Sequence, residues 1–308
     1  MIVYNKTYCL SILCIDFLLN PTDYLSRSRR VRQYPPAAQD DKRPFTEMSA
    51  ERFRLFDGPC IQPYNGTHVI HKTTVMTQTE WEALKAQIVA CRRCPRLVAW
   101  REEVAKERRK AYRDEEYWGK PVPGFGDHRA DLLVVGLAPG AHGANRTGRL
   151  FTGDSSGQFL YSALYRAGFS DRPESQHRDD GMILRDAFVS AACRCAPPAN
   201  KPNPQELLAC RPYLAREVGL LQRLRVIVAL GRIAFEAVLR LYQDGKQSLV
   251  APGSSHHPVF KHAAVYDLSA AGPWLIASFH PSRQNTQTGR LTAAMFDEVW
   301  GQTRKMLE

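Results

Sequence analysis

Four cysteines stand at spacings that suit a metal centre. Cys91 and Cys94 fall in Cys91-Arg92-Arg93-Cys94-Pro95, and Cys195 and Cys210 come much later, either side of Ala196-Pro197-Pro198-Ala199-Asn200-Lys201-Pro202. A C-x2-C pair presents two thiolates from a single turn, and a distant second pair closes a long loop onto the same centre. Zinc and a [4Fe-4S] cluster both accept four thiolates, so spacing leaves the two open. The competing reading makes Cys195 and Cys210 small buried hydrophobes, the common fate of a free cysteine. Cys9, Cys14, Cys60 and Cys193 are expected not to be ligands, although Cys193 lies two residues from Cys195 and is placed to substitute for it.

Three polar loops carry the remaining chemistry. The first runs from Gly136 to Asp154, with five glycines in the eighteen residues 136–153, the second covers Arg194 to Pro202, and the third is His280-Pro281-Ser282-Arg283-Gln284-Asn285-Thr286. Glycines let backbone amides approach a ligand closely, a phosphate among others. Gly143 and Gly148 have G-x4-G spacing, but Arg149 and Leu150 stand where a phosphate-binding P-loop requires Lys and Ser or Thr. The NTPase reading fails on its own motif, and no G-x-G-x-x-G dinucleotide fingerprint is present.

These loops need a scaffold, and the pattern from Asp131 onward supplies one. Leu132–Val135, Ala187–Val189, Val226–Leu230 and Leu275–Ala277 are short apolar runs separated by helical patterns at Gln158–Ala167, Gln205–Leu221, Ile233–Leu241 and Leu291–Met306. Unbroken apolar strands alternating with helices predict a mostly parallel sheet covered on both faces, a three-layer α/β/α sandwich. Each polar loop then follows a strand, where open α/β sheets bind ligands. Asn203, Pro204 and Glu206 form a helix-start signal that sets Cys210 two turns into its helix. Further upstream, Trp81, Leu84, Ile88 and Val89 have helical spacing from about Thr79. A charge-dense stretch, Leu97–Tyr112, reads as a helix with a solvated face.

Residues 1–75 show no sustained period and are broken by Pro35-Pro36 and Asp40-Asp41-Lys42-Arg43-Pro44. They are expected to form a poorly ordered extension, or to reflect a misassigned start given Met48 and Met76, ahead of a catalytic domain at 76–308. About eight of the eleven net positive charges fall after residue 75, and a basic balance suits a polyanionic partner. No stretch approaches the ~20 apolar residues that span a bilayer. The run Tyr8–Leu19 is interrupted by Asp16 and lacks a cleavage site, so a signal peptide is not expected. Cysteines spaced as ligands fit a reducing cytoplasm.

The stretch GLAPGAHGANRTGRLFTGD, the segment RCAPPANKPNP, the closing HPSRQNTQTGR and the four cysteines together resemble the uracil-DNA glycosylase superfamily. Within it they resemble family 5, the iron-sulphur branch, over roughly residues 78 to 305. The resemblance implies an α/β/α fold and a monofunctional, monomeric glycosylase of base excision repair. It also implies a structural [4Fe-4S] cluster on Cys91, Cys94, Cys195 and Cys210, with Cys193 outside the ligand set. A non-catalytic DNA-binding protein with a structural metal site is the alternative, and a nucleotidyl-transfer enzyme of the same fold a third reading.

By the same resemblance Asp154 is the acidic catalytic residue, its carboxylate polarising water and offsetting charge on the sugar, against its local reading as the cap of a helix starting near Ser156. His280 would hydrogen-bond the leaving base, Asn200 would offer donor and acceptor to a base edge or water, and Phe151 would stack on the flipped base. Gly136, Ala138, Pro139, Gly140, His142, Asn145 and Arg146 are expected along the substrate. Ser282, Arg283, Gln284 and Asn285 are expected along the DNA. Uracil-specialised relatives carry an asparagine where this chain has Ala191 and a polar side chain where it has Leu137. The pocket is therefore expected to admit hypoxanthine, xanthine and etheno-cytosine besides uracil.

Overall fold

A computed structural model describes residues 70–243, 258–268 and 272–308. The chain divides into Met1–Pro63 and Tyr64–Glu308, and every described residue belongs to the second unit. The extension expected over residues 1–75 thus lies outside the described residues as far as 69. The first helix, α1 (Ile70–Val89), begins well before the Thr79 that the apolar spacing marked.

Helix α2 (Pro95–Glu107) opens with Pro95 in its first turn, where a missing N–H costs nothing. It is shorter than the Leu97–Tyr112 helix expected from the charge pattern. Arg108 adopts φ 51°, a left-handed value that stops an α-helix, and a 3-10 turn at Lys110–Tyr112 follows.

The remaining elements are β1 (Phe125–Gly126), β2 (Leu132–Gly136), α3 (Ala144–Thr147), α4 (Ser155–Arg166), β3 (Ala187–Ala191), α5 (Pro204–Leu220), β4 (Val226–Leu230), α6 (Arg232–Gln243), β5 (Val265–Asp267), β6 (Trp274–Ser278), α7 (Arg283–Gln287) and α8 (Ala293–Leu307). The strands form one sheet in the order β1-β3-β2-β4-β6-β5. Its four inner strands are parallel and its two edges antiparallel, as the mostly parallel expectation required.

Alternation along the strands builds the two outer layers. Leu132, Val134, Val189, Val228 and Ile276 pack with Leu160, Leu164, Phe296 and Trp300 of α4 and α8. Leu133, Val135, Ile227, Ala229 and Leu275 face the other way, onto Leu84 and Ile88 of α1, Leu214 of α5 and Phe235 of α6. With both faces covered, β2, β3 and β4 are buried at every residue, which is why they read as unbroken apolar runs. Each large side chain so buried contributes roughly 1.5–3 kcal/mol.

The expected start of α5 is present in full: Asn203 Oδ1 accepts from the Glu206 N–H at 2.8 Å, and Glu206 Oε2 accepts from the Asn203 N–H at 2.7 Å. The chain leaves β2 for β3 on one side and β4 lies on the other, so β2 sits where the strand order reverses. The loops after β2, β3 and β6 open at that end of the sheet.

Candidate active site

A cavity of about 880 Å³ opens at the carboxyl ends of these strands and draws its walls from all three polar loops. Leu137, Ala138, Gly140, His142, Phe151 and Asp154 come from the first, Asn200 from the second, and His280, Ser282, Arg283 and Gln284 from the third. Residues more than a hundred positions apart thus share one chamber because each follows a parallel strand.

Asp154 is held with unusual closeness. Its carboxylate caps α4, Oδ1 accepting from the Gly157 N–H at 2.9 Å. Its Oδ2 lies so near Gly140 that a β-carbon there would stand 2.9 Å away, and one on Gly143 would collide with it outright. The glycines of the first loop therefore make room for a carboxylate. Burial raises the Asp154 pKa, opposed by the Gly157 and Ser156 N–H groups and by Arg146.

Arg146 fixes that loop from behind. Its Nε donates to the His142 carbonyl at 2.9 Å and its Nη2 to the Gly153 carbonyl, also at 2.9 Å, while Nη1 pairs with Glu115. Two stretches of the loop, one ending at the residue before Asp154, are thereby tied to one buried guanidinium. The cap and the catalytic assignments of Asp154 are compatible, since capping occupies Oδ1 and leaves Oδ2 toward the glycines.

Across the cavity, desolvation lowers the His280 pKa to about 4, so the imidazole is neutral at pH 7. Its backbone is fixed by Asn285, whose Nδ2 donates to the His280 carbonyl at 2.8 Å. Phe151 adopts φ 52°, a strained value for a residue with a β-carbon, and its ring stands 5.9 Å from the His280 ring. The same ring covers Gly136, where a β-carbon would meet it at 2.6 Å. Asn200 stands exposed on a 3-10 turn, Pro198–Asn200, also with positive φ.

Not every expected substrate contact reaches the chamber. Asn145 is wholly buried, its Nδ2 donating to the Arg101 carbonyl at 3.2 Å, and Pro139 and Gly136 lie beneath the wall. Asn285 faces a neighbouring cavity that shares His280. Ala191 packs in the core at the end of β3. Conversely, Arg109 and Tyr112 line the chamber, though the charge pattern placed them on a solvated helix.

The cysteines also converge. Cys193, Cys195, Cys210 and Leu97 form one buried cluster, and Cys94 packs on it. Cys91 packs on the adjoining core, and its carbonyl accepts at 3.4 Å from the same Arg101 Nη1 that lies against Cys195 Sγ. Among the described residues no group of three or more His, Cys, Asp or Glu is drawn together as a single metal ion requires. The donor set nonetheless fits a larger anionic sulphur-bound group. Every donor is sulphur, Arg101 Nη1 lies 3.0 Å from Cys195 Sγ, and the buried Arg101 Nε and Arg194 Nε and Nη1 have no partner among the described residues. The Cys193 thiol donates to the Cys195 carbonyl at 3.5 Å, and its interaction with the Cys210 thiol pushes the Cys193 pKa up and the Cys210 pKa down.

Comparison with known proteins gives the same family as the motifs. Residues 123–304 match the family model described as the uracil DNA glycosylase superfamily. The chain is 55% identical over 225 residues to the type-5 uracil-DNA glycosylase of Thermus thermophilus, covering 73% of this chain and 97% of that protein. It is 48% identical over 224 residues to the type-5 enzyme of Mycobacterium bovis, covering 72% and 80%. To that of Pyrobaculum aerophilum it is 45% identical over 213 residues, covering 69% and 87%.

Proposed function

The chain belongs to the uracil DNA glycosylase superfamily, and from that premise we propose that it is a monofunctional uracil-DNA glycosylase of base excision repair, acting as a monomer in a reducing cytoplasm. The observation that carries this reading is the half-buried Asp154 carboxylate and a neutral His280 lining one chamber large enough for an extruded nucleotide. No helix among the described residues is long and apolar enough to cross a membrane.

Hydrolysis of the bond between C1′ and the base leaves positive charge on the sugar and an electron pair on the departing base. Ionised Asp154 orients water toward C1′, takes its proton as the new C–O bond forms, and offsets the sugar's charge. Neutral His280 donates a hydrogen bond to the base as it accepts the bonding pair, and Asn200 holds the base edge or the water. Phe151 supplies an apolar face for the flipped ring. Ser282 and Gln284 meet the backbone at the rim.

A [4Fe-4S] cluster on Cys91, Cys94, Cys195 and Cys210 would be structural, supplying a cross-link between the start of α2, the end of β3 and α5. The orphaned guanidinium nitrogens of Arg101 and Arg194 support an anionic group there. With Leu137 in the chamber wall and Ala191 in the core, the pocket lacks the polar partners that would reject other bases, which supports a range reaching hypoxanthine, xanthine and etheno-cytosine. Duplexes bearing each base at one position, treated with protein and then alkali, test both points. Strand cleavage at uracil is expected, with hypoxanthine within about a thousandfold of it. Intact uracil strands would refute the activity, and a wider gap over all other bases would refute the range.

A further inference from the structure

We propose that the segment from Arg108 to Tyr117 is part of the substrate interface, with Arg109 binding a phosphate of the lesion strand beside the flipped nucleotide. This rests on the glycosylase reading above and names a contact within it. The segment leaves α2 where Arg108 turns to φ 51° and then crosses the glycine-rich loop as a strap. Tyr117 Oη bonds His142 Nδ1 at 3.1 Å, and the Trp118 and Gly119 N–H groups donate to the carbonyls of Arg146 and Asn145 at 2.8 and 3.0 Å. Tyr112 stacks on the Arg146 guanidinium, 3.9 Å from its ring centroid, while Glu115 pairs with the same arginine. These bonds join the strap to the loop that carries Asp154.

Two consequences follow for the chamber. Tyr112 stands in the wall between the main cavity and a neighbouring one of about 580 Å³, both of which reach Asp154. Arg109 lines the main cavity yet is exposed, so it sits at the rim, and its guanidinium has no acidic partner among the described residues. Arg283, from the third loop, lines the same cavity, is exposed and is likewise without one. From Lys106 to Arg113 the chain carries five cations against Glu107, with Asp114, Glu115 and Glu116 just beyond and Glu115 already committed to Arg146. Two unpaired guanidinium groups at the rim of a chamber that must hold an extruded nucleotide offer the fork that binds a phosphodiester. Because Arg109 is exposed, its contribution goes to holding the strand.

The test uses the full chain and a duplex whose target deoxyuridine carries a 2′-fluorine, which slows bond cleavage so that affinity can be measured. Arg109→Gln is expected to raise Kd about tenfold, with the slope of log K against log salt lower by about one phosphate contact, ~0.9. Single-turnover excision of the unfluorinated duplex at saturating protein should change less than about twofold, because uniform binding is lost while transition-state contacts remain. Arg109→Lys should recover most of the affinity. Replacing the flanking phosphates one at a time by neutral methylphosphonate should show one position that weakens the wild type but leaves Arg109→Gln unaffected. Unchanged affinity and slope in Arg109→Gln, or equal methylphosphonate losses in both proteins at every position, would overturn the proposal. Failure of the glycosylase reading is a separate result, since the wild-type protein would then leave the unfluorinated duplex uncut.

Discussion

The cysteine region and the chamber at the strand ends are built beside one another at the same end of the sheet, yet they treat charge in opposite ways. Around the cysteines, carboxylates are matched to guanidinium groups: Arg194 Nη2 meets Glu217 Oε2 at 2.5 Å with both side chains buried, and Arg96 Nη2 meets Glu206 Oε2 at 2.6 Å. In the chamber the Asp154 carboxylate accepts hydrogen bonds from backbone N–H groups and feels an arginine, Arg146, that is committed to Glu115, while Arg109 and Arg283 have no acidic partner among the described residues. Paired charges fasten one element to another. A charge left without a counterion remains available to a substrate, and its cost is met by the fixed frame around it.

If that contrast is right, the largest effect on rate should come from neutralising the unpaired carboxylate without disturbing the frame. Asparagine caps a helix about as well as aspartate. Asp154→Asn should therefore keep the thermal midpoint while slowing single-turnover excision about a thousandfold, within the range a positioned general base supplies. Burial raises the Asp154 pKa, so the wild-type rate should fall tenfold per unit as pH drops below a value higher than that of an ordinary aspartate. His280, already neutral down to about 4, adds no limb between pH 5 and 8. A wild-type profile that shows no acid limb above the pH at which an ordinary aspartate protonates, or normal rates in Asp154→Asn, would reduce Asp154 to a cap.

Breaking the paired side should do the reverse, costing stability before chemistry. Glu217→Gln leaves Arg194 buried with its charge uncompensated, a change that typically costs about 3 kcal/mol or more. The glutamine can still accept from the Ser190 hydroxyl, which bonds Glu217 Oε2 at 2.5 Å, so the lower end of that range is expected. A fall in melting temperature of roughly 10 °C follows for a domain of this size. A midpoint within 2 °C of wild type would show that the pair does not fasten β3 to α5.

The two regions also differ in how far they can be read from sequence. The parallel strands and the start of α5 are legible because burial on both faces leaves unbroken apolar runs and because a capping box spans only four residues. The edge strands Phe125–Gly126 and Val265–Asp267 are too short to hold a period. In the site, Asp154, His280, Asn200 and Phe151 are legible because each belongs to a motif of fixed local spacing. Arg109 and Tyr112 belong to none. They reach the chamber only because Arg108 ends α2 and a strap crosses the loop, which is a tertiary fact. Asn145 errs the other way, since its motif is present but its amide is spent on Arg101.

The smallest effect expected separates a fastening pair at the surface from one in the core. Arg96 is 44% exposed, whereas its partner Glu206 is 6% exposed, so the ion pair is partly screened and Arg96→Ala should cost no more than about 1 kcal/mol. Burial pushes the Glu206 pKa up, but the Arg96 guanidinium and the Asn203 N–H outweigh it and hold the carboxyl below its usual range. A depressed folded-state pKa contributes stability that is fully present above the unfolded value and is lost as pH falls through the folded one. Arg96→Ala should therefore lie closest to wild type in strong acid, where Glu206 is protonated in both proteins, and differ most near neutrality. Salt should narrow the neutral gap, because half of the pair faces water. A cost as large as that of Glu217→Gln, insensitive to both salt and acid, would mean that the exposed pair is as firmly built in as the buried one, and that pairing alone, whatever its depth, is what distinguishes the cysteine region from the chamber.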